Sequence, residues 1–302
     1  MTPTDPAPAE VPPILDAQQF RELARRPDAR VIDVRWALDG SKGRHTYLAG
    51  HIPGAVYADL GSDLAAPASR EAGRHPLPSP EDFAAAMSRL GIANGTVVLA
   101  YDDTDGSQAA RLVWMLRAVG TPAGLLDGGL GAWLEDGGED GSPGSAGRSV
   151  RVTQDDVAPP RARFAPTPWG PEAIATIDET EAAGRSAGAV VIDARAGERY
   201  RGEMEPMDAR AGHVPGAVNA PFTGNLGQDG RFLPPAALRE RFAAVGVHEG
   251  ADVIVYCGSG VTAAHDLLAL ERAGVHGARL FPGSWSQWSA DESREVATGP
   301  EA

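Results

Sequence analysis

The sequence predicts two tandem α/β domains, each a mainly parallel sheet with helices on both faces. Two observations carry this prediction: short β-branched runs alternate with amphipathic helical stretches, and the same order of signals occurs twice along the chain. With 302 residues, 42% of them hydrophobic, the chain can supply two separate cores.

The repeat emerges when the chain is set against itself. "ARVIDVRWAL" from Ala29 pairs with "AVVIDARAGE" from Ala189, placing Asp33 opposite Asp193 at an offset of 160. "AGHIPGAVYADL" from Ala49 pairs with "AGHVPGAVNAPF" from Ala211 at an offset of 162. "TVVLAYDD" and "DVIVYCGS" set Asp102 against Cys257, and "LLDGGLGAW" and "LFPGSWSQW" set Trp133 against Trp288, both at an offset of 155. Four matches in one order indicate a tandem duplication.

Within each copy, Val31-Ile32, Val97-Val98-Leu99, Val190-Val191-Ile192 and Val253-Ile254-Val255 read as buried strands of a parallel sheet. "PEDFAAAMSRLG" (Pro80 to Gly91), "ALRERFAAVG" (Ala237 to Gly246) and "AAHDLLALERAG" (Ala263 to Gly274) read as helices that stop at glycine. The stretch from Glu135 to Pro168 is dense in Gly, Pro, Ser and charge and reads as an extended linker. The expected division is a first domain over 13–138, a linker over 139–170 and a second domain over 171–298.

A net charge of -14 opposes binding to nucleic acid or anionic membrane surfaces, so neither is expected as a partner. No apolar run approaches the ~20 residues that span a bilayer. One cysteine cannot form an internal disulfide and no leader-like segment is visible, so a cytoplasmic location is expected. Seven scattered histidines and one cysteine give no metal site, and no Gly-rich phosphate loop follows a strand; no metal or cofactor is expected.

The chemistry concentrates in "VIVYCGSGVTA". Cys257 directly follows a strand and precedes a helix, with two glycines that let the backbone turn inward. Successive N–H groups of such a loop can point at the sulfur, and the next helix adds the positive end of its dipole; both favour thiolate over thiol. A free cysteine is usually a small buried hydrophobe. This one lies past the strand end, where an α/β sheet opens to ligands. Asp102 holds the same place in the first copy, so one copy is read as catalytic and the other as supportive.

"CGSGVTA", the "GHIPGAV" and "GHVPGAV" elements, "VIDVR"/"VIDAR" and "FPGSWSQW" together resemble a two-domain rhodanese-type sulfurtransferase. The resemblance implies that Cys257 carries a sulfane sulfur as a persulfide and passes it to cyanide or to a thiol, such as a thioredoxin-like protein. It implies that the N–H groups from Gly258 through Ser259, Gly260 and Val261 to Thr262 hold the outer sulfur. The Gly-Ser-Gly form resembles the 3-mercaptopyruvate sulfurtransferases, whereas thiosulfate-specialised relatives place Arg and Lys after the cysteine. Thiosulfate is the alternative donor. By the same resemblance Ser259 polarises the donor; the competing reading is a brace for the loop.

A donor carboxylate calls for arginine. The family's "R-aromatic-R-G…E-P-R-D" stretch implies two substrate arginines; Arg199 matches the first, Met207 stands at the second, and Arg210 is the candidate replacement. Arg201 reads as a surface charge. His75, in "GRHPLP", is the candidate for proton transfer through Ser259, or else a structural histidine. The Asp that relatives place beside it aligns with Gly61, with Asp59 and Asp63 nearby. His51, His213, Asp33 and Asp193 recur in both copies and read as scaffold. Trp36 and Trp285 are cleft-lining candidates, with core packing the competing role. A cysteine phosphatase would close its loop with arginine, and this loop runs on through Val261, Thr262 and Ala263 instead.

Overall fold

The computed structural model describes residues 11–135 and 152–300. The first unit runs β1 (Ile14–Leu15), α1 (Ala17–Ala24), β2 (Ala29–Asp33), α2 (Arg44–Ala49), β3 (Val56–Tyr57), α3 (Leu60–Asp63), α4 (Pro80–Arg89), β4 (Val97–Tyr101), α5 (Ser107–Ala118), β5 (Ala123–Leu126) and α6 (Gly129–Glu135). The second runs α7 (Ile177–Gly184), β6 (Ala189–Asp193), α8 (Gly197–Tyr200), β7 (Ala217–Asn219), a 3₁₀ turn at Phe222–Asn225, α9 (Pro235–Ala243), β8 (Asp252–Tyr256), α10 (Thr262–Arg272), β9 (Arg279–Leu280) and α11 (Ser284–Trp288).

The sheets are ordered β1-β5-β4-β2-β3 and β7-β6-β8-β9, with every strand pair parallel. The four β-branched runs form the central strands β2, β4, β6 and β8, whose last three positions are buried in every case. Helix starts obey local chemistry: Asp16 and Gln19 close a capping box on α1, Thr176 and Glu179 another on α7, and Ser79 caps α4 ahead of Pro80. Among the described residues, no helix is long and apolar enough to cross a membrane.

The duplicated motifs build matching braces. Asp33 and Asp193 each hold the guanidinium two residues on, Arg35 and Arg195, at 2.6 Å, and these arginines also donate to Gly50 and Gly212 carbonyls. His51 and His213 are buried, stack on Tyr47 and Tyr200, and place Nδ1 2.8 Å from those tyrosines' carbonyls. Of the expected linker, residues 139–151 lie outside the described residues. Its remaining part packs on the first unit: Thr153 bridges His51, Phe164 N–H donates to Ser88, and the Trp169 indole donates to Pro78 and packs on Phe83 and Trp114.

The two units meet along α5 and α10, and one apolar cluster spans both, from Ile32 and Leu112 to Val255 and Leu268. The loop over 69–75 of the first unit docks on α11 of the second. The Arg70 guanidinium donates to the Ala290 carbonyl, Gln287 to the Glu71 carbonyl, and Arg74 N–H to Ser286 Oγ. Gly73 has φ +88°, and a methyl group there would lie 2.6 Å from the Gly283 carbonyl oxygen, so only glycine permits this approach.

Candidate active site

β8 ends at Tyr256, and the chain turns at once through Cys257–Val261 into α10. The Cys257 side chain is 2% exposed. Its own N–H donates to Ser284 Oγ at 3.2 Å, and the carbonyls of Cys257 and Gly258 accept from Trp285 and Ser286 N–H at 2.9 Å, which anchors the loop to α11. The Gly260 N–H then donates to Cys257 Sγ at 3.1 Å. Among the described residues the N–H groups of Gly258, Ser259, Val261 and Thr262 have no acceptor, so the loop that holds the sulfur carries a set of unspent donors.

Gly260 carries φ +78°, and a methyl group there would lie 2.7 Å from the Pro282 carbonyl oxygen. Gly258 differs: a methyl group there would meet Arg74 Nη2 at 3.1 Å and Arg199 Nη1 at 3.4 Å. Two guanidinium groups, one from each unit, therefore stand over the loop's first glycine. Asp208 orients both, accepting from Arg74 Nη1 at 2.6 Å and Arg199 Nη2 at 3.1 Å, while Glu205 takes Arg199 at 2.6 Å. Arg74 Nη2 and Arg199 Nη1 remain without an acceptor among the described residues.

His75 Nδ1 lies 2.8 Å from Ser259 Oγ. Burial, with the charges of Arg111 and Arg74 adding to it, pushes the His75 imidazole down to about 4, so it is neutral at pH 7. Ser259 donates to Nδ1 when the imidazole proton sits on Nε2. Neither Asp59 nor Asp63 completes a triad: Asp59 accepts from Tyr57 and Ser62, and Asp63 accepts from Arg89 and Asp59 N–H. Trp36 instead meets the His75 ring edge-on at 5.5 Å between centroids. A proton NMR titration should find the His75 ring unprotonated from pH 8 down to about 5. Because the folded state favours neutral His75, acidification from the ordinary histidine range toward pH 4 removes stability.

Arg210, the expected replacement for the missing arginine, is committed elsewhere. Its guanidinium donates to the carbonyls of Trp288, Ser289, Asp291 and Arg294 at 2.6–2.9 Å, tying down the chain after α11. Met207 is 44% exposed, and the second guanidinium over Gly258 is that of Arg74. Sequence reasoning missed Arg74, although it directly precedes His75. Trp285 is core: fully buried, with Arg195 stacked 4.6 Å over its ring. Arg201 pairs with Glu203 at the surface. In the first unit the Asp102 carboxylate occupies its own loop, accepting from Thr104, Gly106 and Ala109 N–H at 2.9–3.2 Å. Three of that loop's donors are thus spent on a permanent internal acceptor.

The rhodanese-like domain family matches residues 16–136 and 176–291. A Pseudomonas aeruginosa protein named "probable 3-mercaptopyruvate sulfurtransferase" is 44% identical over 95% of this chain and 98% of its own. SseB of Mycobacterium tuberculosis, whose name places it with thiosulfate sulfurtransferases, is 41% identical over 89% of this chain and 90% of its own. The crystal structure of SseA from Escherichia coli, described with the rhodanese fold and mechanism of 3-mercaptopyruvate sulfotransferases, has a TM-score of 0.75 at 33% identity and covers 91% of this chain and 100% of that one. With both halves matched and both sheets built to one plan, the chain belongs to the rhodanese-like domain family and carries that domain twice.

Proposed function

We propose that the protein is a sulfurtransferase that moves a sulfane sulfur from 3-mercaptopyruvate to a thiol or to cyanide through a persulfide on Cys257. The observation that carries this is the Cys257 Sγ in a loop of free N–H donors, beside a Ser259–His75 pair and beneath two guanidinium groups. Each feature has a counterpart in the donor: a transferable sulfur, a carbonyl and a carboxylate. The names of the relatives support the same donor class.

In the first half-reaction the Cys257 thiolate attacks the donor sulfur. An S–S bond forms as the C–S bond breaks, and the electron pair stays on carbon as the enolate of pyruvate. With the imidazole proton on Nδ1, neutral His75 donates to Ser259 Oγ, which leaves the serine hydroxyl free to donate to the donor carbonyl as negative charge grows there. The enolate takes a proton and leaves as pyruvate, and the outer sulfur stays as Cys257–S–SH among the N–H groups of Gly258 to Thr262. In the second half-reaction an acceptor thiolate attacks that outer sulfur and regenerates the Cys257 thiolate; cyanide leaves as thiocyanate. A small thiol or a thioredoxin-like dithiol can serve as acceptor, and a reducing compartment such as the cytoplasm suits the cycle.

Arg199 and Arg74 bind the donor carboxylate through Nη1 and Nη2. Loss of one charge-assisted bond amounts to about 1.5–3 kcal/mol. Arg199→Gln and Arg74→Gln should therefore each lower kcat/KM for mercaptopyruvate about ten- to a hundredfold, chiefly through KM. Arg210→Gln should lower thermal stability instead, with KM unchanged. Equal KM effects in all three variants would defeat the assignment.

Thiosulfate is the second reading, because the same two guanidinium groups suit a sulfonate and because SseB bears that name. Comparing kcat/KM for the two donors on one preparation decides between them. Mercaptopyruvate is expected to lead, since no cation follows Cys257 within the loop.

A further inference from the structure

Arg111, on α5 of the first domain, is fully buried, and its side chain crosses to the catalytic loop of the second. Nη1 donates to the Gly260 carbonyl at 2.9 Å, Nη2 donates to the His75 carbonyl at 3.1 Å, and Nε has no partner. No carboxylate bonds it among the described residues. A buried guanidinium held only by carbonyls is costly unless an anion stands near it.

Every other charge around the loop is accounted for. Arg74 and Arg199, over Gly258, are matched by Asp208 and Glu205. Arg195, behind them, is matched by Asp193 and Glu205. His75 is neutral at pH 7. Among the described residues the one group near Arg111 able to supply negative charge is Cys257. Burial pushes the Arg111 guanidinium down to about 10 and a Cys257 thiolate raises it, so it stays charged at neutral pH.

The duplication supplies an internal control. The offset of 155 that aligns Asp102 with Cys257 aligns Arg111 with Asp266 on α10. Contact is reciprocal across the α5–α10 junction: Arg111 reaches the second domain's loop, and His265, beside Asp266, places Nε2 3.1 Å from the Asp105 carbonyl of the first domain's loop. Asp266 is fully buried, bonds Asn225 and leaves Oδ2 bare; burial pushes it up to about 7. The loop that holds a cysteine thus faces a cation. The loop that holds its own carboxylate meets His265 instead, and Asp266, at the place equivalent to Arg111, bonds Asn225 of its own domain.

We propose that Arg111 is the counter-ion of the Cys257 thiolate and persulfide, delivered to the catalytic loop by the domain that lacks a cysteine. It acts on Gly260, whose N–H donates to Cys257 Sγ while its carbonyl accepts from Arg111: the cation fixes that residue against the sulfur and polarises the Gly260–Val261 peptide, strengthening the uncommitted Val261 N–H as a donor. Arg111 is therefore a positioning residue. Its role explains why the first domain is retained although its own loop is closed by Asp102.

This inference rests on Cys257 reacting as a thiolate, and its test needs no sulfur donor. Cys257 is the only cysteine of the chain, so alkylation of the full-length protein by iodoacetamide reports on one site. The rate is monitored against pH for wild type, Arg111→Gln, Arg111→Met, Arg111→Lys and Asp266→Asn, with thermal unfolding checking the fold. Both neutral variants should move the half-maximal pH upward by about one unit, a tenfold slower reaction at neutral pH. Arg111→Lys and Asp266→Asn should stay near wild type. An unmoved profile in the folded Gln or Met variant overturns the proposal, as does a Lys variant displaced as far as the neutral ones, which would mark a packing role. A wild-type thiol inert across the whole range is a different outcome: it sinks the sulfur-transfer reading and this inference with it.

Discussion

Cys257→Ser should abolish sulfur transfer from either donor while leaving the fold intact, with kcat/KM falling by about four to six orders of magnitude. Serine keeps the size of the side chain and can still accept from the Gly260 N–H. A hydroxyl, however, is almost wholly protonated at pH 7 and forms no persulfide. Because the substitution is nearly isosteric in a buried site, the stability change should stay near ~1 kcal/mol. Thiocyanate formation with each donor, together with a melting curve, checks both parts. Substantial turnover in the folded variant would mean that the chemistry lies elsewhere.

Gly260→Ala should produce the next largest effect, a loss of about a hundredfold or more in kcat/KM. At φ +78° a side chain costs about 1–2 kcal/mol of backbone strain. The added methyl would also stand 2.7 Å from the Pro282 carbonyl oxygen, so the loop must shift. Displacement moves the N–H off Sγ and the carbonyl off Arg111 together, and an error of ~1 Å in such a site costs about a hundredfold. Gly258→Ala makes the comparison informative, because its methyl meets only the ends of the Arg74 and Arg199 side chains, which can swing aside. That variant should raise KM for the donor and keep most of kcat. Equal kcat losses in the two variants would show that loop conformation at Gly260 is not what sets the sulfur's environment.

The parts of this protein legible in the sequence are those set by local pattern. The central strands announce themselves as β-branched runs, the long helices as amphipathic stretches with glycine stops, and the Cys257 loop as a break between two such signals. Strands of two or three residues, β1, β3, β7 and β9, carry too little pattern to be read, and α11 is visible only as an aromatic motif. Side chains that cross between domains are harder still. Arg74 pairs with Asp208 across 134 residues and Arg111 with the Gly260 carbonyl across 149, separations on which sequence spacing says nothing. Arg210 draws attention because it lies three residues from Met207, but its carbonyl partners lie 78 to 84 residues away. Arg111 gives one local hint: a cation inside the otherwise apolar stretch "AARLVWML" of α5.

All of the proposed chemistry depends on Cys257 carrying the transferred sulfur. Intact-mass analysis after adding mercaptopyruvate without acceptor tests that role most directly. Wild type should gain the mass of one sulfur atom, lose it on adding a thiol, and Cys257→Ser should gain nothing. A folded wild-type protein that consumes the donor with no sulfur bound, or a Cys257→Ser variant that gains the same mass, would contradict it.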